Sequence, residues 1–160
     1  MAATYEPIAS TTLASDSASL TLSSIPATYT DLRLVLTGAA AAGNAICLQL
    51  NSDTSTNYSW TLMYGDGSGA YSLRGSNDSH ARVGSISTGG PHLAVADLMN
   101  YANTNVYKTI ISNSVRDANG PYRVVALWRD TSAISSITVK TLSPNLLAGF
   151  TASLFGVKAA

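Results

Sequence analysis

The chain has 160 residues, of which 46% are hydrophobic and only 11% are charged, against about 25% charged in an average soluble domain. Nine Lys and Arg balance nine Asp and Glu, and the basic residues do not cluster, which argues against nucleic acid as a partner. The most apolar windows, such as 93–99, are far shorter than the roughly 20 residues that cross a bilayer as a helix. The N-terminus also lacks the basic and apolar regions of a secretory signal. A surface with so little charge must get its solubility from Ser, Thr, Asn and Gly, or else be partly hidden against other subunits.

Alternation of apolar and polar residues predicts β-strands along nearly the whole chain. In the segment 19–24, Leu20 and Leu22 point to one side while Ser19, Thr21 and Ser23 point to the other. About ten strands are predicted in this way, near 19–24, 31–37, 46–50, 58–62, 81–87, 93–99, 106–114, 123–128, 136–141 and 151–157.

Turn signals separate these segments, and no helical spacing is found between them. Glycine-containing turns or loops are predicted at 38–43, 65–69, 88–91 and 119–121. Many short strands without helices favour an all-β fold, an antiparallel β-sandwich that is jelly-roll-like, with a closed barrel as the alternative.

The chain is expected to form one domain with an extended N-terminal arm. Residues 1–17 show no clear alternation and are predicted to be the arm, and 18–160 the single β-sandwich domain. The apolar residues Ile8 and Leu13, in an otherwise polar stretch, suggest that the arm contacts a neighbouring subunit or a larger shell.

Residues suited to nucleophilic or acid-base catalysis do not form a recognisable motif. His80 and His92 lie by predicted loops and are interpreted as surface histidines, and although Asp78 could complete a Ser/His/Asp triad, no nucleophile elbow is present. The single cysteine, Cys47, lies in an alternating segment and is predicted to pack in or near the core. The only glutamate, Glu6, lacks the second positioned carboxylate that glycoside hydrolysis requires.

The loop 65–69, with Asn77 and Asp78 nearby, has some character of a calcium loop. It lacks the alternating acidic ligands and terminal glutamate of an EF-hand, and its glycines match neither a dinucleotide fingerprint nor a phosphate loop. The prediction is therefore a non-enzymatic protein with no catalytic, metal-ligating or cofactor-binding residue and no cofactor.

One aromatic set remains as a candidate binding site. Tyr58, Trp60, Tyr64 and Tyr71 straddle a predicted strand and the loop after it, where a β-sandwich lectin could place a platform for sugar stacking. The alternation of Tyr58, Trp60 and Leu62 favours the other interpretation, in which these rings belong to the core or to a subunit interface.

Several segments carry a family resemblance. They are YEPIA at 5–9, SSIPATYTDLRL at 23–34, NYSW at 57–60, YGDG at 64–67, ISSIT at 134–138 and FTASLFGV at 150–157. Together they resemble, in the same order, a family of small virion structural proteins of tailed bacteriophages, including cyanophages. The chain departs from that pattern at Phe155, where the family pattern has tyrosine.

The resemblance implies a jelly-roll-like protein that assembles on a phage particle. The expected role is a capsid decoration or cement protein, a homotrimer that bridges capsomers, with the major capsid protein as its partner. Its expected location is the capsid surface of the virion, after synthesis in the host cytoplasm. A tail, fibre or baseplate-associated component of the virion remains open as an alternative, and so does a carbohydrate-binding module for host-surface glycans.

Overall fold

The computed structural model describes residues 5–88, 92–116, 120–143 and 145–158. Over these ranges the chain is all-β, as predicted, and no helix that could span a membrane is found in them. The strands are β1 (Tyr5–Thr12), β2 (Ser19–Leu22), β3 (Asp31–Gly38), β4 (Asn44–Leu50), β5 (Tyr58–Gly65), β6 (Ala70–Asp78), β7 (Ala81–Ile86), β8 (His92–Met99), β9 (Lys108–Arg116), β10 (Pro121–Trp128), β11 (Ile137–Thr141) and β12 (Thr151–Val157).

Two antiparallel sheets pack into a sandwich. The larger sheet has eight strands in the order β1-β12-β3-β8-β9-β10-β5-β6, and the smaller has four in the order β2-β11-β4-β7. The predicted antiparallel, jelly-roll-like β-sandwich is confirmed. The closed barrel is wrong, because both sheets end in edge strands, which are β1 and β6 in the larger sheet and β2 and β7 in the smaller.

The core lies between the sheets and follows the predicted alternation. In β3, Leu32, Leu34 and Leu36 are fully buried while the residues between them are half-buried. Alternate residues of a strand point to opposite faces, so one face of β3 packs against the small sheet and the other faces outward. Cys47 is buried, as predicted, and its burial raises the pKa of the thiol to about 12.

The N-terminal segment differs from the expected arm. Residues 5–12 form β1, which pairs with β12 of the same chain and so completes the larger sheet. Ile8 and Leu13 pack against the core of their own domain, and Ser17 bridges to Leu146. The apolar residues that suggested contact with a neighbour therefore serve intramolecular packing, and residues 1–4 lie outside the described ranges.

A buried lysine holds together the loops at one end of the sandwich. The strand predicted near 106–114 begins at Lys108, whose side chain is fully buried. Its ammonium group donates to the carbonyls of Asn103, Val106 and Thr131, and burial lowers its pKa. A buried charge that is not offset by hydrogen bonds would be costly, so these three carbonyls make the site tenable.

Candidate functional site

The outer face of the eight-stranded sheet, the face turned away from the small sheet, carries an exposed apolar patch. Five large side chains there are between 40% and 51% exposed, namely Met63, Leu93, Met99, Val115 and Val125. They come from β5, β8, β9 and β10, which are neighbours in the sheet. We call these five residues the outer patch. Contiguous exposed apolar surface is typical of interaction sites in soluble proteins.

The register of the strands places Leu93, Val115 and Met63 around one hollow, while Val125 and Met99 lie further along the same face. Leu93 of β8 lies opposite Val115 of β9, which in turn lies opposite Pro121 of β10. One pleat along, Met63 lies opposite Arg123. Together they border a hollow of about 730 Å³ whose lining is mainly apolar.

A polar cleft lies on the same outer face, towards β1. Arg33 donates to both carboxylate oxygens of Asp97, at 2.7 and 2.9 Å, and this hydrogen-bonded pair raises the pKa of Arg33. The guanidinium also lies 5.0 Å from the ring centroid of Tyr5. Arg123 donates to Asn113 at 2.9 Å across the cleft, which has a volume of about 360 Å³. Bidentate and stacked guanidinium groups are held in fixed directions, so the polar groups here are preorganised.

The structure separates the predicted aromatic set. Tyr58 is fully buried and stacks on Trp128, so it is a core residue. Trp60 is half-buried and donates to Asp78 at 2.5 Å. The four rings do not form one exposed platform.

Tyr64 lies between two other tyrosines and has no free ring face. Its ring stacks on Tyr71 at 5.0 Å and on Tyr122 at 5.1 Å. A sugar needs an exposed ring face for stacking, so Tyr64 is unsuited to that role. Only Tyr71, 44% exposed on β6, retains a largely open surface.

The histidines considered for catalysis lie apart. His80 is half-buried in the turn between β6 and β7, where burial lowers its pKa. His92 begins β8 and is only 2% exposed, so its interpretation as a surface histidine is wrong. The pleat turns its side chain inward together with the core residues Ala94 and Ala96. Asp78, which was considered as the acid of a Ser/His/Asp triad, accepts a hydrogen bond from the indole N–H of Trp60.

The loop that suggested calcium binding is the turn of the β5–β6 hairpin. One carboxylate oxygen of Asp66 accepts hydrogen bonds from the backbone and hydroxyl of Ser68 and from the backbone of Gly69. These bonds lower the pKa of Asp66, and the bond from the Ser68 hydroxyl contributes most. Asp66 thus stabilises its own turn, as aspartate often does. Within the described ranges, no group of three or more His, Cys, Asp or Glu side chains is placed to hold a metal.

Comparisons with known proteins give likenesses of shape. No protein-family model matches the chain, and no curated protein sequence does. Among solved structures, the galectin LEC-6 of Caenorhabditis elegans is 8% identical with a TM-score of 0.37, over 94% of this chain and 96% of that one. A tetrameric galectin from the ball sponge Cinachyrella sp. is 12% identical with a TM-score of 0.28, over 88% and 99%. Alginate lyase Aly36B is 9% identical with a TM-score of 0.30, over 81% and 70%. These likenesses concern β-sandwich architecture alone.

Proposed function

We propose that this chain is a structural protein of a tailed-bacteriophage virion, a capsid decoration or cement protein that acts by docking and performs no chemistry. In this proposal it assembles as a homotrimer on the capsid surface and bridges capsomers of the major capsid protein. The family resemblance of its sequence motifs supports this role. The observation that carries the proposal is the outer patch on the eight-stranded sheet.

Leaving that patch in contact with water is unfavourable in free energy. Burial of apolar surface contributes about 25 cal/mol per Å², and interfaces combine an apolar centre with a polar rim. Leu93, Val115 and Met63 provide an apolar centre around the hollow, with Asn113 and Arg123 also in its lining and Arg33 and Asp97 in the neighbouring polar cleft. A partly apolar sheet face suits a broad protein contact.

The direct test is the mass of the purified protein by light scattering, followed by its position and copy number on intact particles by electron cryo-microscopy. The expected result is a trimer at capsomer junctions in high copy. A monomer, or a few copies confined to the tail, would contradict the capsid role and favour a tail, fibre or baseplate component.

Two substitutions test whether the outer patch makes the contact. We expect the double variant Leu93→Gln and Val115→Gln to fold, because both side chains are already about half exposed, and to lose at least about tenfold in particle occupancy. Leu142→Gln is the matched control, since Leu142 is 54% exposed and lies outside the patch. Equal particle occupancy of the double variant and the control would show that the outer patch does not make the contact.

A second candidate function, glycan binding, is favoured by the polar cleft around Arg33. Preorganised donors and acceptors beside an exposed aromatic ring suit a sugar, and Tyr5 is 45% exposed next to Arg33 and Asp97. If this proposal holds, a glycan array would detect binding that Arg33→Ala abolishes and Tyr64→Ala leaves intact. Binding that depends on Tyr64 would instead favour the aromatic set.

A further inference from the structure

A second cleft lies between the two sheets, where β5 and β6 of the larger sheet extend past β7, the edge strand of the smaller sheet. We call it the edge cleft. Its floor is apolar and aromatic, and its upper wall is basic, with a volume of about 330 Å³. The floor consists of Leu62, Leu73, Tyr64 and Tyr122, and the wall of Arg82, Ser85 and Arg116.

Arg82 is held in place over this floor. Its guanidinium donates to the Ser85 hydroxyl at 2.8 Å and to the Gly84 carbonyl at 3.3 Å, and it lies 5.3 Å from the Trp60 ring centroid. These contacts use one face and two nitrogens of the group. The remaining N–H donors of Arg82 are available to a ligand.

Arg116 adds a second positive charge. Its Nε atom is buried and has no hydrogen-bond partner among the described residues. A buried donor without a partner is costly, so this geometry calls for an acceptor.

Neither arginine is neutralised by a carboxylate in the described structure. The ion pairs found there are Arg33–Asp97 and Lys158–Glu6. Asp66 also borders the edge cleft, but one of its carboxylate oxygens accepts three hydrogen bonds within its own turn. The edge cleft therefore offers two guanidinium groups that have no carboxylate partner among the described residues, above an apolar floor.

The backbone around the cleft adds a further recognition element. β6 and β7 are edge strands, one from each sheet. In β7 the carbonyls of Val83 and Gly84 accept hydrogen bonds from the side chains of Ser112 and Arg82, so the backbone row that is open to a further strand is that of β6. An extended peptide can pair with such an edge while its alternate side chains enter a neighbouring pocket.

We propose that the edge cleft binds an extended acidic segment of a partner protein. A glutamate or aspartate carboxylate lies against Arg82 and Arg116, and an apolar side chain of the same segment lies on Leu62 and Leu73. A peptide is favoured over a free anion or an acidic sugar, because only a peptide uses the strand edge as well as the charges. The edge cleft and the hollow beside the outer patch share Tyr64 and Tyr122, but of these two sites Arg82 and Arg116 border only the edge cleft, so variants at these arginines test this inference apart from the proposed capsid contact.

The test uses the full-length chain and a short synthetic peptide that alternates valine and glutamate, with calorimetry as the readout. We expect binding that weakens with added salt and is at least about tenfold weaker for the matched valine-glutamine peptide, because hydrogen bonds to charged groups are the stronger ones. A polyuronate oligosaccharide serves as the second probe and is expected to bind more weakly than the peptide.

Variants assign the binding to the cleft. Arg82→Gln and Arg116→Gln should each weaken peptide binding by about tenfold, whereas Arg74→Gln should not, since Arg74 is an exposed arginine of β6 on the outer side of the sheet. Thermal unfolding checks that each variant folds. If Arg82→Gln does not fold, peptide binding by Arg116→Gln alone decides whether the edge cleft is the binding site. No peptide binding, equal binding of the two peptides, tighter binding of the polyuronate, or unchanged binding by Arg116→Gln would overturn the proposal.

Discussion

The two outermost strands of the eight-stranded sheet, β1 and β6, have the same position in the architecture and opposite character. β1 contains Pro7 and a register shift between Pro7 and Ala9. Its neighbour β12 is joined to it by hydroxyl pairs, Ser10 with Ser153 and Thr12 with Thr151, both at 2.8 Å. Proline, irregular register and polar side chains are devices that keep an edge strand from pairing with another chain.

β6 has fewer of these protections, because it contains no proline and its register with β5 is regular from Ala70 to Ser76, although Ser72 and Arg74 are polar. Residues 70–75 include no proline and no acidic residue, and Tyr71 and Leu73 are 44% and 48% exposed. An exposed, apolar edge strand is a template for pairing. The larger sheet is therefore protected from further pairing on the β1 side and more open to it on the β6 side, where we place the acidic partner segment.

The largest effect that tests this comparison is expected from removing β1. Deletion of residues 1–12 exposes β12 as a new edge and removes Ile8 from its packing against the core, so we expect the free energy of unfolding to fall by roughly 3 kcal/mol or more. Urea denaturation measures this. Full stability together with a loss of particle occupancy would instead restore the interpretation of this segment as an arm that reaches a partner.

A smaller effect is expected from two glycines that each lie against an aromatic ring. A Cβ on Gly156, beside β1, would be 2.3 Å from the Tyr29 ring, and one on Gly75, in β6, would be 2.5 Å from the Trp60 ring. We expect Gly156→Ala and Gly75→Ala to cost about 1–3 kcal/mol, with the greater loss at Gly156 because its Cβ would lie within 2.4 Å of three Tyr29 ring atoms. Thermal unfolding ranks the two variants by their loss of stability. A greater loss for Gly75→Ala would show that the β6 side is the more rigidly packed one.

The same comparison explains what could be predicted from the sequence. The ten predicted strands correspond to strands of the structure, and the two that were missed are β1 and β6. Apolar and polar residues alternate where a strand buries one of its faces. An edge strand that lies largely in solvent buries little of either face and so lacks this pattern, as the exposed side chains of β6 illustrate.

The candidate sites show a second limit of the sequence. Local alternation was enough to favour a core position for Tyr58, which is buried. The pairing of Arg33 with Asp97 joins residues 64 positions apart, and the register of distant strands decides it. No local pattern encodes such a pairing, so the polar cleft and the edge cleft could only be found in the folded chain.

Charging the open edge should change association more than stability. We expect Leu73→Glu on β6 to alter the free energy of unfolding by no more than about 0.5 kcal/mol, because the side chain is already half exposed, and to weaken binding of an acidic segment by like-charge repulsion. Binding of the valine-glutamate peptide provides the readout. Ser10→Glu makes the matched change on β1 and should leave peptide binding unaltered. Equal effects of the two variants would mean that the edges do not differ in function.

The smallest effect concerns pH and the fastening of β1. Lys158 donates to Glu6 at 2.7 Å, and this bond is the main cause that holds the pKa of Glu6 below its ordinary value of 4.5, with a further contribution from the Tyr29 hydroxyl. A carboxylate with a lowered pKa stabilises the folded state above its ordinary pKa, and that contribution disappears as the pH falls through the lower, folded value. Acid should therefore loosen β1 at its N-terminal end.

Amide hydrogen exchange can locate this loosening. Between about pH 6 and about pH 3, the protection factors of the amides around Glu6 should fall more than those of residues 70–75, which include no carboxylate. Glu6→Gln should remove the difference, because a neutral amide at this position does not titrate. If β1 and β6 lose protection in parallel in both proteins, the Glu6–Lys158 pair does not fasten the closed edge, and the hydroxyl pairs with β12 and the packing of Ile8 must hold it instead.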